Sequence, residues 1–158
     1  MTKESELVTK LTKKHYTISA AESCTGGLLA AAIVNVSGAS RVFERSYVTY
    51  ADLAKEGLVK VSRATLSRFG AVSSQTAEEM ALGCAKAAGA DVGLSTTGIA
   101  GPEGGTPDKP VGLVYIGCKV CGRYTVRKCL FGGDRAKIRE NTVSSALSLM
   151  RECILQYY

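Results

Sequence analysis

A chain of 158 residues with 46% hydrophobic content can bury roughly two thirds of its unfolded surface in one domain. Charged residues at 22% and only three prolines exclude disorder, collagen-like repeats and low-complexity segments. The formal charge of +6 brings nucleic acid into consideration, but few aromatic side chains accompany the basic ones to stack on bases. A solvated basic face, or a site for a small anion, is therefore preferred to a nucleic-acid groove.

The first 15 residues are charged and helix-patterned. They lack the apolar core of roughly 7 to 15 residues that a secretory signal carries. No later run reaches the roughly 20 apolar residues that span a bilayer. The six cysteines are scattered, so reduced thiols are expected rather than a disulfide framework. The sequence predicts a soluble cytoplasmic protein with no membrane partner.

Helix-period and alternating patterns predict the first half in the order helix, strand, helix, strand and three helices. The predicted ranges are 4–15, 17–21, 28–34, 45–50, 52–56, 63–69 and 74–88. Asp52 is the predicted N-cap of the fifth element, and Ser73 or Ser74 that of the seventh, which ends at Gly89.

In the second half of the chain, the sequence pattern predicts a strand, a long loop, a hairpin and a final helix. Residues 91–97 form the strand, which runs into a loop at 98–110 with four glycines and all three prolines. Loops of this length in a compact domain are usually functional or disordered. The hairpin, 111–119 and 123–131, turns near Gly122, and Asp134 caps the last helix. We predict one three-layer α/β/α domain over residues 1–158, with a mixed, mostly parallel sheet.

Histidine and metal chemistry find little support in the residue types. The sole histidine, His15, is predicted to be structural or on the surface, because a lone histidine lacks the partners of a triad or metal site. Cys118 and Cys121 have C-x-x-C spacing but no second pair completes four ligands. No metal site and no cofactor are predicted.

Ser23 follows the first predicted strand and precedes Gly26-Gly27 and a helix. Free N–H groups of Thr25, Gly26 and Gly27 at such a turn can hold an anion or a developing oxyanion. Ser23 or Thr25 can equally be a simple helix cap, and the segment alone leaves the two interpretations evenly weighted. Cys24 is an alternative nucleophile, because a thiol at a helix N-terminus has a lowered pKa. It is less favoured than Ser23.

A serine without histidine needs another base, and a lysine kept neutral by burial is the known substitute. Lys55 is the candidate because it follows the strand ending at Tyr50 by five residues. Tyr50 and Lys55 can then face one cleft across a strand-to-helix turn, although the spacing fits an exposed lysine equally well.

Seven short motifs together resemble the C-terminal domain of the CinA family, in the same order over about residues 5 to 155. They are Ala21–Gly27, Tyr50 with Lys55, Gly70–Ser73, Thr97–Pro102, Gly104–Pro107, Lys109–Gly112 and Gly133–Arg135. That family includes the nicotinamide-nucleotide amidohydrolases, or NMN deamidases, of pyridine-nucleotide recycling. Members commonly carry Asn two residues after the tyrosine, where this chain has Asp52.

The resemblance implies a metal-free amidase that hydrolyses nicotinamide mononucleotide (NMN) to nicotinate mononucleotide and ammonia. Ser23 would be the nucleophile, Lys55 the base, and Tyr50 an assisting residue. Substrate is expected at two glycine-containing segments and two arginines: Cys24, Thr25, Gly26, Gly27, Thr97, Gly98, Gly101, Gly104, Gly105, Arg135 and Arg139. A homo-oligomer is plausible from the family.

Two alternatives remain open at this point. A nucleotide-binding or regulatory module could use the glycine-rich segments to hold a phosphate without turnover. A DNA-binding protein would fit the basic charge, but no helix-turn-helix or stacking motif is found.

Overall fold

Helices and strands alternate along the chain. The computed structural model describes residues 1–157, where six α-helices, α1 to α6, span Lys3–Lys14, Leu28–Val34, Asp52–Val59, Arg63–Phe69, Ser74–Ala88 and Arg135–Tyr157. Five strands, β1 to β5, span Ile18–Glu22, Tyr47–Val48, Val92–Gly98, Leu113–Val120 and Arg123–Leu130. A short 3₁₀ helix at Ala39–Arg41 follows α2.

The five strands form one sheet in the order β2-β1-β3-β4-β5. β1 pairs in parallel with β2 and β3, whereas β4 is antiparallel to both β3 and β5. Four of the five strands therefore run in one direction, which confirms the predicted mixed, mostly parallel sheet.

Helices cover both faces of the sheet, as predicted for three layers. On one face α1, α2 and α6 contact one another, and on the other α3 and α4 contact α5, which packs on β1, β3 and β4. All five residues of β1 are buried. Because side chains alternate along a strand, Ala20 belongs to the core beneath α6, while Ala21 packs with Met80 and Val59 on the α5 side.

Side-chain caps fix the start of most helices. The Ser73 hydroxyl accepts from the Thr76 N–H at 3.1 Å, and the Asp134 carboxylate from the Lys137 N–H at 2.9 Å, which confirms both caps. The predicted Asp52 cap is wrong. Ala51 is the N-cap residue of α3, and Asp52 is its first helical residue, where its charge favours the helix dipole.

The predicted strand at 45–50 is mostly irregular. Only Tyr47 and Val48 pair with β1, opposite Ala21 and Glu22. Just before them the Ser46 hydroxyl donates to Ala20 O at 2.8 Å, so a side chain replaces the backbone ladder there. An alternating pattern of apolar and polar residues does not show where a side chain takes the place of a backbone hydrogen bond.

The longest helix, α6, has 23 residues and buries Ile138, Ala146, Leu147 and Met150 on its inner side. The polar Thr142 on the same side is also buried, and its hydroxyl donates to Ile138 O at 2.7 Å. Within residues 1–157, no helix combines the length and apolar character needed to cross a membrane.

The strand order changes direction between β1 and β3. The chain leaves β1 for β2 on one side, while β3, on the other side of β1, continues to β4. In open α/β sheets such a switch in direction opens a crevice at the carboxyl ends of the strands, where ligands usually bind. Ser23, after β1, and Thr97, near the end of β3, both lie at this edge.

Candidate active site

Ser23 is the first residue beyond β1, and its backbone continues the sheet. Its N–H donates to Thr96 O at 2.9 Å, the bond that follows the last β1–β3 pair. The chain then turns sharply through Gly26 and Gly27, both with positive φ, before α2 begins. Ser23 is 7% exposed, so its hydroxyl is held at the end of a buried strand with little freedom.

Lys55 is buried against Ser23. Its side chain is 1% exposed, and its Nζ lies 2.9 Å from Ser23 Oγ. The same nitrogen donates to the backbone carbonyls of Thr49 at 2.8 Å and Tyr50 at 3.3 Å. The first turn of α3 thus presents the amine to the end of β1, and the predicted serine–lysine contact is present in the structure.

Burial lowers the pKa of the Lys55 amine from its ordinary value, because the charged form loses its hydration. The negative charge of exposed Asp52, three residues earlier, opposes this shift and raises the pKa of the same amine. Asp52, which stands where members of the resembled family commonly carry Asn, therefore makes the field around Lys55 more negative.

Cys24 is unsuited to nucleophilic attack. Burial raises the pKa of its thiol to about 11, so the thiolate is scarce near neutral pH. The lowered thiol pKa expected at a helix N-terminus is therefore not found at Cys24, because burial outweighs the favourable charges around the sulfur.

Tyr50 lies at the rim, and its side chain is 62% exposed. Its hydroxyl accepts a hydrogen bond from the Arg135 guanidinium at 3.1 Å, and the same guanidinium donates to Gly101 O at 2.8 Å. Arg135 thereby links the segment after β2, the glycine-rich loop and α6. Tyr50 approaches Lys55 through its backbone carbonyl, while its phenol faces Arg135.

Glu22 is a site residue that sequence reasoning missed. Its side chain is fully buried, and Oε1 accepts from the Thr25 hydroxyl at 2.6 Å and from the N–H groups of Gly27 at 3.2 Å and Leu29 at 2.8 Å. Oε2 accepts from the Ala30 N–H at 3.0 Å. The carboxylate therefore already occupies the positive end of α2.

This arrangement changes which N–H groups of the turn can meet an oxyanion. The Gly27 N–H is taken by Glu22, and the Gly26 N–H donates to Ser23 O at 3.2 Å. The expectation that both glycine N–H groups are free is wrong, because the turn uses them internally. Cys24 and Thr25 carry the N–H groups that remain as candidates beside Ser23.

Arg139 is also engaged by the turn. Its Nε donates to Cys24 O at 3.0 Å and its terminal nitrogen to Thr25 O at 3.1 Å. The side chain is half-buried, and both contacts are with backbone of the chain itself. Arg135, which is exposed, is consequently the better placed of the two arginines for an anionic ligand.

Most glycines of the 98–110 loop serve packing. A Cβ on Gly98 would lie 2.5 Å from the Val114 side chain, and one on Gly105 would lie 2.8 Å from the Val111 N. Gly101 is similarly crowded by Val111, whereas Gly104 has no neighbour that close. Glycine here permits the loop to lie against the start of β4, which a sequence motif alone does not distinguish from phosphate binding.

Thr97 anchors the crevice from the β3 side. Its buried hydroxyl donates to Ala71 O at 2.7 Å, and Lys109 donates to Phe69 O at 2.6 Å. These bonds tie the end of β3 to the turn after α4, and the loop to the last residue of α4. The structure therefore brings the segments predicted to bind substrate to one edge of the sheet.

Within a three-layer α/β/α fold, a buried lysine amine thus lies against a serine hydroxyl at a strand-to-helix turn. The chain belongs to the CinA family: the family model described as "CinA C-terminal domain" matches residues 1–154. This confirms the resemblance carried by the seven motifs.

Curated relatives agree with this assignment. A CinA-like protein of Kosmotoga olearia is 55% identical over 152 residues, which is 96% of this chain and 37% of that protein. A CinA-like protein of Dictyoglomus thermophilum is 50% identical over 152 residues, again 96% of this chain and 37% of the relative. The chain thus spans little more than a third of the length of these relatives.

Solved structures share the whole fold. The competence/damage inducible protein CihA from Agrobacterium tumefaciens superposes with a TM-score of 0.93 at 40% identity, covering 95% of this chain and 92% of that one. A CinA superfamily protein from Klebsiella pneumoniae gives a TM-score of 0.94 at 30% identity, covering 98% and 97%. These names describe competence and damage and specify no reaction.

Proposed function

We propose that this chain is an amidohydrolase that converts NMN to nicotinate mononucleotide and ammonia with a serine–lysine pair. The main support for this proposal is the set of contacts made by Lys55 Nζ, which has two carbonyl oxygens and one hydroxyl within 3.3 Å. A neutral amine has two N–H donors and one lone pair. The donors match Thr49 O and Tyr50 O, and the lone pair then faces the Ser23 hydroxyl, as a general base requires.

In the proposed reaction Ser23 Oγ adds to the carboxamide carbon while its proton passes to Lys55 Nζ. The carbonyl oxygen becomes an oxyanion beside the N–H groups of Cys24 and Thr25. The C–N bond then breaks, Lys55 returns the proton to the leaving nitrogen, and ammonia departs. Water activated by Lys55 adds to the acyl-enzyme, and cleavage of the ester bond releases nicotinate mononucleotide and restores Ser23.

The phosphate of NMN is proposed to bind at the rim of the site, where Tyr50 and Arg135 lie. A guanidinium fork suits phosphate oxygens, and Arg135 is exposed at the entrance, with donors directed at Tyr50 and Gly101. Gly104, the uncrowded glycine, offers backbone to the same ligand. Tyr50 is proposed to assist by holding Arg135 and closing one side of the crevice.

The decisive experiment measures ammonia from NMN, nicotinamide, nicotinamide riboside and glutamine, each incubated with purified protein in the presence and in the absence of a chelator. We expect release from NMN, because the phosphate would engage Arg135 and the carboxamide would reach Ser23. Absence of ammonia from all four amides contradicts the amidase and favours the non-catalytic nucleotide-binding module. A rate abolished by the chelator contradicts the metal-free mechanism.

Asp52→Asn tests the tuning of Lys55. Removing the negative charge that raises the Lys55 pKa should lower that pKa further. The neutral base then appears at lower pH, so the acid limb of kcat/KM moves to lower pH by less than about one unit, because exposed charges are screened. The shift should shrink in 1 M salt.

Glu56→Gln is the matched control for Asp52→Asn, since it removes a carboxylate from the same helix. Glu56 pairs with Arg63 at 2.8 Å and is not among the groups that shift Lys55. An acid limb that moves to higher pH in Asp52→Asn would contradict the assignment of Lys55 as the base.

The proposal also covers the compartment, the oligomeric state and the partners of the protein. The six cysteines are free thiols in the structure, which fits a reducing compartment such as the cytoplasm. A homo-oligomer is proposed from the family, with NMN as the small-molecule partner and no role for nucleic acid.

A further inference from the structure

The turn that carries Ser23 is held from two sides by opposite charges. On one side lies the fully buried Glu22 carboxylate, which takes one hydroxyl and three backbone N–H groups. On the other lies the Arg139 guanidinium from α6, which donates to two successive backbone carbonyls, those of Cys24 and Thr25. We call this pair, Glu22 and Arg139, the turn clamp.

Planarity of the peptide bond gives these contacts a directional consequence. In a trans peptide the C=O and the following N–H point in opposite directions. By holding Cys24 O at 3.0 Å, Arg139 directs the Thr25 N–H the other way. The bond from the Gly26 N–H to Ser23 O directs the Cys24 N–H in the same manner.

The carboxylate has the complementary effect on the N-terminus of α2. Three N–H groups that could attract an anion there already donate to Glu22. Thr25 is further fixed by its hydroxyl, which lies 2.7 Å from the Thr96 hydroxyl on β3. Among the described residues, the Cys24 and Thr25 N–H groups beside Ser23 then donate to no acceptor on another residue.

We propose that Glu22 and Arg139 are positioning residues that hold the oxyanion-binding N–H groups of Cys24 and Thr25 in place. Neither side chain touches the reacting atoms. This inference rests on the proposed function, because it assigns the clamp to the transition state of acyl transfer at Ser23. Preorganised donors of this kind stabilise charge that develops only in the transition state.

Glu22→Gln and Arg139→Lys test the clamp. Glutamine keeps one acceptor oxygen but places an NH₂ group against a backbone donor, and lysine cannot hold two carbonyls as a planar fork does. Each change should lower kcat for NMN by about 100-fold, the size of losing one oxyanion donor, with KM changed less than about threefold. In Arg139→Ala, added guanidinium chloride at millimolar concentration should restore part of the lost kcat.

Glu79→Gln is the matched control, because Glu79 also accepts a backbone N–H, that of Ser62 at 2.9 Å, away from the turn. It should leave kcat and KM unchanged. Circular dichroism and melting curves establish that each variant is folded at the assay temperature. If Glu22→Gln does not fold, Arg139→Lys and guanidinium rescue carry the test.

A second readout separates the clamp from the substrate assignment. A fluorophosphonate labels an activated serine: Ser23 Oγ would bond to phosphorus, the P–F bond breaks, fluoride leaves, and the serine proton passes to Lys55. Because the phosphoryl oxygen needs the same N–H groups, both variants should be labelled about 10- to 100-fold more slowly than wild type.

The outcomes distinguish the two proposals. Wild type that is labelled but releases no ammonia from NMN overturns the proposed substrate, and the labelling rates still judge the clamp. Unchanged kcat and labelling in both variants overturn the clamp alone. Wild type that is neither labelled nor active overturns both, whereas a raised KM at unchanged kcat assigns Glu22 or Arg139 to substrate binding and overturns positioning.

Discussion

Lys55→Met should lower kcat for NMN by about 10³- to 10⁴-fold, the contribution of a general base near the upper end of its range. Methionine fills the same narrow space, but it has neither a lone pair for the Ser23 proton nor a proton for the leaving nitrogen. KM should change little, because Lys55 is buried behind Ser23 and contacts only the chain itself. Steady-state kinetics of ammonia release measures both constants.

Lys86→Met is the control for this substitution, since Lys86 is exposed on α5 and the chemical change is the same. It should leave kcat unaffected. A Lys55→Met enzyme within tenfold of wild type would contradict a lysine base and indicate that the serine is activated by another group.

A comparison of wild type with Lys55→Met also tests the protonation of Lys55, without any substrate. The pKa of its amine is lowered on folding, so between the folded pKa and about 10.4 the unfolded chain binds more protons. The free energy of unfolding of wild type, relative to Lys55→Met, should therefore rise with pH across that window. The rise is about 1.4 kcal/mol for each unit of lowering. Urea denaturation at several pH values would show a flat difference if Lys55 were not shifted.

Ser23→Ala should reduce kcat by at least about 10⁴-fold, because the acyl-enzyme cannot form and only a directly activated water remains. The hydroxyl contributes one contact, to Lys55 Nζ, and the backbone bond to Thr96 is retained. The fold should accordingly persist, with a loss of stability near that of one hydrogen bond, about 1 kcal/mol. Mass spectrometry of quenched wild-type reactions should detect the acyl adduct on Ser23.

Cys24→Ala is the matched control at the neighbouring position. The Cys24 thiol, with its pKa raised to about 11, should be dispensable for chemistry, and truncating a small buried side chain costs stability rather than rate. Loss of activity in a folded Cys24→Ala together with an active Ser23→Ala would reverse the assignment of the nucleophile.

Burial of Lys55 connects stability with function in this fold. A charged amine at this buried position is disfavoured, so the environment that weakens folding at low pH is also the one that favours the neutral amine needed for the proposed base. Asp52, at the surface of α3, counteracts part of this effect. Where relatives carry Asn at that position, the base is expected to be available at lower pH.

The order of the elements and the three-layer architecture follow from local signals. Period-3.6 and alternating patterns predicted α1, α2, α4, α5 and the hairpin, and cap chemistry predicted the starts of α5 and α6 at Ser73 and Asp134. The exceptions are informative. At Ser46 a side chain takes a sheet position, and α3 begins after Ala51, which carries no capping side chain.

The candidate site residues also divide into features that the sequence could predict and features that depend on tertiary packing. Residue type and position made Ser23 and Lys55 candidates, and the resemblance to the family implied their roles and that of Tyr50. Burial of Lys55 could not be read from the sequence, since five residues after a strand fits an exposed lysine as well. Burial is what shifts its pKa, and it depends on packing of α3 against α5.

The class of fold, the nucleophile and base candidates and the family could be predicted, because they depend on residue types and short spacings. How the turn is held could not be predicted, because it depends on contacts between distant parts of the chain. Glu22 accepts from N–H groups five to eight residues ahead, outside the three-residue spacing of helix caps. Arg139 reaches Cys24 across 115 residues. Such contacts arise from the packing of α6 beside α2, and no local pattern specifies them.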